Sequence, residues 1–461
     1  MRCLRLLRSF GTALALLSFS AGANAAAPPA PVAVQLPIQR VTLDNGLRVV
    51  MNVDRSAPTV AVAVTYDVGS RDEEPGKSGF AHVFEHLMFG ATKNLDEGAL
   101  QRLVMSRGGF LSATTHVDRT PYFMVVPENE IALALWLEAE RMRSIDVSQK
   151  SFEAERKVIE EEHRLRVDDM PYGKAYWALG ELVYQGAYAY AHPVTGALSD
   201  LGRAELGWVQ AFHASHYGPN TAVLSLSGDF DPDAVMALVH RHFDAIPRIN
   251  HKPFAEQAVT EQTSERRRIV DDAVARLPGL EIGFATPPPR TREHDALRMI
   301  AVLLGDGDTA RLPAELVRKD ALCTEAHAAL DGLYGRGPGI LRIALRLAEG
   351  ASVGEVEKRV DAAIGDLAAR PPSAAEMARA RKRLETAFVL GLAWNRDRAI
   401  ELGKYEIYYG DARLLGRELE RLAQVTAEDV QKVAARFLAP ARKNVVETRP
   451  ARAPEAPKES K

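Results

Sequence analysis

The sequence predicts an α+β fold of two similar domains, on three observations. Runs of β-rich residues and helical periods follow one another in both halves of the 461-residue chain. One pattern recurs near the end of each half. A helix over Ala204–Tyr217 stops at Gly218-Pro219-Asn220 before a strand, and a helix capped at Thr426 stops before Pro440 and another strand, so that Pro219 and Pro440 lie 221 positions apart. Between the halves, Ile246–Ser264 is polar and holds Pro247 and Pro253, as a joint would. With 46% apolar and 26% charged residues, each half has enough material for a core.

The elements follow in order. Val41–Leu43 and Leu47–Val53 flank Asp44-Asn45-Gly46, the signature of a hairpin whose turn tolerates positive φ. Thr59–Val68 reads as a strand. Helical periods cover Glu97–Ser106, Ile131–Ile145 and Gln149–Val167, with strands at Phe110–Thr115 and Thr120–Val126. Thr221–Ser227 is a strand, and Asp231-Pro232 opens a helix with a cap and an N1 proline. Ser373-x-x-Glu376 is a capping box, and Asn444–Thr448 is a final strand. Residues 38–248 and 265–448 are thus the two expected domains. Residues 449–461, rich in Pro, Lys and Glu, form an expected disordered tail.

Residues 1–25 read as a secretory signal: Arg2, Arg5 and Arg8, then the small and apolar Gly11–Ser20, then the A-x-A site Ala23-Asn24-Ala25. Cleavage removes three arginines and Cys3, moving the formal charge from −3 to −6 and leaving Cys323 alone, as a small core residue. A periplasmic or secreted protein is expected, without a transmembrane segment after cleavage. The 58 basic and 61 acidic residues carry no electrostatic footprint for nucleic acid.

The sharpest signal is Gly79 through Gly90, which contains His82-x-x-Glu85-His86. Positions i, i+3 and i+4 share one helix face, so these three side chains point together while Val83, Phe84 and Leu87 pack elsewhere. Two imidazoles one turn apart suit tetrahedral zinc, and the carboxylate beside them can act as a base. Composition alone would supply roughly 0.04 such motifs. A metal-free pair would bury three ionisable groups on an otherwise apolar helix, which is costly.

A third ligand is sought on Gln149–Val167. Glu160 has Arg156, Lys157, His163 and Arg164 as i±3 and i±4 neighbours, and Glu161 has a mixed set. Glu162 has Val158, Ile159, Leu165 and Arg166, the most apolar surroundings, and lies two turns, about 10 Å, from Glu155 on the same face. Glu162 is the expected ligand, with Glu155 behind it in support. One Zn²⁺ per chain follows.

H-x-x-E-H is an inverted zinc motif, and the sequence resembles the pitrilysin/insulinase family of zinc peptidases, which includes the mitochondrial processing peptidase. The resemblance extends to Val68–Glu73, Gly76–Gly90, Gly108-Gly109, Asp118–Thr120, Tyr122, Ala134–Met142 and Glu155–Glu162, and the last stretch also puts the third ligand at Glu162. It implies two domains, each of helices on a mostly antiparallel sheet, forming one half-ring of a clamshell. It further implies a homodimer, or a heterodimer with a second half-ring subunit, around a chamber for unfolded peptides. A substrate strand would add to Phe110–Thr115, where Ser112-Ala113 stands in place of the family's Asn-Ala. An arginine–tyrosine pair matches at Arg318, while the tyrosine position holds Thr324 and Tyr334 lies too far along.

The expected function is therefore an exported zinc metalloendopeptidase. His82, His86 and Glu162 hold the metal. Glu85 takes a proton from the attacking water and passes it to the leaving amine. Two alternatives stand beside it: a non-catalytic or partner-dependent half-ring subunit, and a peptide-binding or chaperone module without turnover.

Overall fold

The computed structural model describes residues 34–255, 259–332 and 335–450. The expected signal peptide, Cys3, Tyr334 and the segment 451–461 lie outside the described residues. No helix among the described residues is long and apolar enough to cross a membrane.

Two sheets divide the chain. The first has six strands, β1 (Ile38–Thr42), β2 (Arg48–Val53), β3 (Thr59–Tyr66), β4 (Phe110–Ala113), β5 (Thr120–Pro127) and β6 (Ala222–Gly228), in the order β1-β2-β6-β3-β5-β4. The second has β7 (Arg266–Asp272), β8 (Gly279–Ala285), β9 (Cys323–Leu330), β10 (Ile340–Leu347) and β11 (Asn444–Pro450), in the order β7-β11-β8-β10-β9. Apart from β1, the two orders correspond strand for strand. Each sheet has one parallel pair, β2 with β6 and β7 with β11, and is otherwise antiparallel. The spacing of 221 is exact for the helices Leu206–His216 and Ala427–Phe437 and for the turns Pro219–Thr221 and Pro440–Arg442.

Local chemistry sets the boundaries. Gly46 has φ +89°, and Asn45 fixes the hairpin by donating to the carbonyls of Phe243 and Ile246 while its Oδ1 accepts from Leu47 N–H. Asp231, Ser373 and Thr426 cap their helices as expected. Arg449 and Pro450 correct the expected tail: they end β11, opposite Asp271 and Asp272 of β7, because the parallel ladder runs that far. The helix expected over Gln149–Val167 is α-helical to His163 and finishes in a wider π turn over Arg164–Asp168, with Asp169 N–H bonded to the Arg164 carbonyl.

Two helices that sequence periodicity did not reveal tie the halves together. Helix Gly173–Val183 packs on β8, β11 and β7 of the second sheet, and helix Asn395–Tyr409 packs on β3, β6 and β5 of the first. The strands are built for this. In β3, Val60, Val62 and Val64 face the main core, while Ala61 and Ala63 face Ala399. Gly403 brings the second helix close, since a Cβ there would lie 2.6 Å from Thr65 Oγ1. On the other sheet, a Cβ at Gly283 would lie 3.0 Å from Leu179. Arg40 closes the first contact with two hydrogen bonds to Glu406, at 2.8 and 2.6 Å.

Gly403→Ala is therefore expected to lower stability by about 1–3 kcal/mol. Gly365→Ala, in a helix position with open space around the Cβ, is expected to raise it by up to about 1 kcal/mol. Denaturant midpoints of the two variants check this; a stabilised Gly403→Ala would contradict the close approach.

Candidate metal centre

The motif helix runs from Phe80 to Leu87. Phe80, Val83, Phe84 and Leu87 anchor it in the core of the first domain. Its N-terminus begins at Gly79, which has φ +93° and no side chain to cap with. The capping carboxylate comes instead from Glu73, which is fully buried and accepts from Gly79 N–H at 2.7 Å and Ala81 N–H at 2.8 Å. His192 Nε2 lies 3.0 Å from the same carboxylate. Burial pushes the Glu73 pKa up, against the pull of His192 and the two N–H groups. Sequence reasoning missed this support, although Glu73 lay inside a stretch that matched the family.

His82, Glu85 and His86 project from one face, as their spacing requires. The imidazoles of His82 and His86 meet edge to face at 4.9 Å between centroids. Glu162 arrives from the helix Gln149–His163, its Oε1 3.7 Å from His82 Nε2 and its Oε2 3.3 Å from His86 Nε2. One donor atom from each of the three lies within 4.8 Å of the others. Two imidazole nitrogens and one carboxylate oxygen, converging from two helices, fit a zinc ion with a position left open.

The other glutamates of the Glu162 helix fall into different places. Glu161 is exposed and paired with Arg164, at 2.5 Å. Glu155 Oε2 lies 3.1 Å from His86 Nδ1, so it holds that ring with Nε2 turned to Glu162. His82 has no such partner: its Nδ1 is buried without a hydrogen bond among the described residues.

Electrostatics separate the two rings. Burial, then the nearby His86, pulls the His82 pKa down to about 4, which favours the neutral, ligating form. Burial also opposes charge on His86, but Glu155 and Glu162 outweigh it and raise its pKa to about 9. Burial raises the Glu85 pKa, while a hydrogen bond from Thr115 Oγ1 at 2.6 Å works the other way. Arg166, on the π turn, pairs with Glu162.

His82 and Glu85 open onto a cleft of about 680 Å³ between the two domains. Ala113, Thr114 and Thr115, at the end of β4, form one wall of it. Arg342 and Arg346 of β10 reach it from the second sheet. The other expected contacts fall differently. Ser112 does not line the cleft, and its hydroxyl reaches only the Ala113 carbonyl, at 3.5 Å. Arg318 is exposed on the π turn Pro313–Lys319 of the second domain and does not line this chain's cleft. Thr324 is exposed and bonded to the Arg346 carbonyl. Cys323 is buried in the second core, where burial raises its pKa to about 11, as suits a packing residue.

Two family models match the chain. Residues 48–179 match the model described as insulinase, peptidase family M16, and residues 206–384 match the one described as peptidase M16 inactive domain. The zinc protease PqqE of Helicobacter pylori is 33% identical over 297 residues, which are 63% of this chain and 66% of that protein, so the match spans just under two thirds of its length. An uncharacterized zinc protease of Mycobacterium tuberculosis is 30% identical over 412 residues, 89% of this chain and 93% of that one. Among solved structures, a protease from Helicobacter pylori superposes with a TM-score of 0.85 at 27% identity, over 90% of this chain and all of that one. The periplasmic protease PqqL of Escherichia coli superposes with a TM-score of 0.73 at 17% identity, over 90% of this chain but 48% of that one. With the histidine pair on its motif helix and relatives aligned over nearly its whole length, the chain belongs to the insulinase family, peptidase family M16.

Proposed function

We propose that this protein is an exported zinc metalloendopeptidase acting on unfolded peptides. The observation that carries the reading is the convergence of His82, His86 and Glu162 within 4.8 Å, with Glu85 one turn away at the same cleft. A zinc ion bound there supplies Lewis-acid chemistry, polarising the peptide carbonyl and acidifying water.

The chain's own residues do the rest. An extended peptide adds to the free edge of β4, whose other edge is paired with β5 from Phe110–Val125 to Ala113–Tyr122. Thr115 holds the Glu85 carboxylate at the cleft floor. Glu85 takes the proton of the attacking water and delivers it to the departing amine, so one carboxylate serves as base and then acid. Glu155 keeps the His86 ring in register. Export rests on the basic, apolar and A-x-A pattern of residues 1–25.

A second, partner-dependent reading has its own support. Arg318 does not line this chain's cleft, Thr324 holds the family's tyrosine position, and PqqL is about twice the length matched here. On this reading a second half-ring completes the chamber. The deciding experiment measures zinc content and cleavage of a quenched fluorescent peptide by the mature chain, with and without chelator, alone and with a co-expressed second half-ring. About one zinc per chain and chelator-sensitive cleavage are expected. Cleavage by the chain alone, unchanged by the partner, would remove the partner-dependent reading; zinc-free protein with full cleavage would remove the metallopeptidase reading.

A further inference from the structure

The cleft carries more charge than the proposed chemistry uses. Among the described residues its charged lining is Arg166, Arg342 and Arg346 against Glu85. Arg166 is engaged by Glu162. The other two stand side by side on β10 and share one carboxylate, that of the fully buried Glu281: Arg342 Nε donates to Oε2 at 2.7 Å and Arg346 Nη1 to Oε1 at 2.9 Å. Asp331 also lies near Arg342, and Glu325 stands opposite Arg346 on β9; what the pair offers is its unspent N–H groups. Nη1 and Nη2 of Arg342, and Nε and Nη2 of Arg346, make no hydrogen bond among the described residues.

Each guanidinium lies over an aromatic ring. Arg346 lies 3.7 Å from the centroid of Tyr172, and Arg342 4.6 Å from that of Tyr176, whose hydroxyl is bonded to Asp331. Tyr172 sits in the left-handed region at φ +67°, which is strained for an aromatic residue. The surroundings over-determine it. Its N–H donates to Asp272 Oδ2 at 2.7 Å, and its hydroxyl to the Leu277 carbonyl at 3.0 Å. Gly279 makes room for the ring, since a Cβ there would lie 2.7 Å from it. Strain kept in place in this way belongs to binding sites more than to plain structure.

We propose that Arg342 and Arg346, stacked on Tyr176 and Tyr172, form a carboxylate-binding subsite that selects peptides presenting an acidic group within reach of the cut. This inference rests on the peptide-cleft reading above and names its substrate class. A planar guanidinium with free N–H groups pairs with a carboxylate through two parallel hydrogen bonds, which an amide cannot match. The carboxylate is either an Asp or Glu side chain or the peptide's C-terminus, and the two sources are separable.

The test uses a neutral peptide into which one Glu or one Gln is placed at each position in turn, each made as C-terminal acid and as amide. Affinity is read by fluorescence anisotropy on the zinc-loaded Glu85→Gln protein, and kcat/KM on the unaltered protein. At one position, or at the C-terminus, the carboxylate form is expected to bind at least ~10-fold more tightly than its amide. Arg342→Gln or Arg346→Gln in the same background is expected to bring that ratio to within about twofold of unity. Equal affinity for acid and amide forms throughout overturns the subsite, and needs no arginine variant to fold. A preference that survives both arginine variants overturns it as well. Preference without hydrolysis by the zinc-loaded unaltered protein removes the peptidase reading and leaves the subsite; hydrolysis without preference does the reverse.

Discussion

Glu85→Gln is expected to keep the metal and lose the reaction. Glutamine preserves the length of the side chain and can still accept the Thr115 hydroxyl, which lies 2.6 Å from the carboxylate. Glu85 is not among the three residues whose donor atoms converge, so zinc content should stay near one per chain. What is lost is the only carboxylate lining the cleft among the described residues, and with it both proton transfers. Turnover of a peptide substrate should fall by roughly 10²–10⁴. Single-turnover cleavage by zinc-loaded protein is the measurement, and wild-type turnover would reject Glu85 as the base. Its pKa, raised by burial, suits a group that must take a proton and then release it.

The second large effect is on the metal itself. His82→Ala or His86→Ala removes one of three ligands and should weaken zinc binding by at least about 10²-fold, beyond the 10–100-fold typical of losing a residue that only orients a ligand. Glu162→Gln should fall in the same class. Glu155→Gln should cost about 10–100-fold, since Glu155 touches His86 through the ring nitrogen facing away from Glu162. Glu161→Gln should change nothing, because its carboxylate is spent on Arg164 at the surface. Competition with a chromogenic chelator ranks all five. Weakening by Glu161→Gln and not by Glu162→Gln would move the ligand by one residue.

How far the site was legible depended on how local it is. His82, Glu85 and His86 needed only helix periodicity. Glu162 needed a comparison of helix faces; of the apolar neighbours that favoured it only Ile159 is buried, while Val158 and Leu165 are exposed, so the comparison reached the right face through Ile159. Thr115 was not legible: it meets Glu85 only because β5 returns beside β4 and carries the loop back over the motif helix. Nothing local links Tyr172 to Arg346 either, 174 positions on; β10 and the chain before helix Gly173–Val183 meet only once the second sheet is formed. The strands at Phe110, Thr120 and Asn444 were readable from β-rich runs between breakers. The two tying helices were not, because their partners are Ala61, Ala63 and Gly283, residues whose smallness matters only against a neighbour from the other half. The uninterrupted apolar run of β3, with both faces buried, was the one available hint.

That crossing of helices has a consequence for how the chain acquires its structure. Synthesis proceeds from the N-terminus, so the first sheet can assemble long before Asn395–Tyr409 exists. Until then the face bearing Ala61, Ala63, Phe123 and Ser225 lies bare, and an intermediate of this kind is prone to stick to its neighbours. Arg40 waits for Glu406, 366 residues away. A fragment ending at the joint would keep that bare face for good, and its counterpart would lack the cover of Gly173–Val183 over β8. Produced together, the two fragments would each supply what the other lacks. A single cut within the joint of the finished protein would then leave two pieces still clasped, and unfolding would remain one transition.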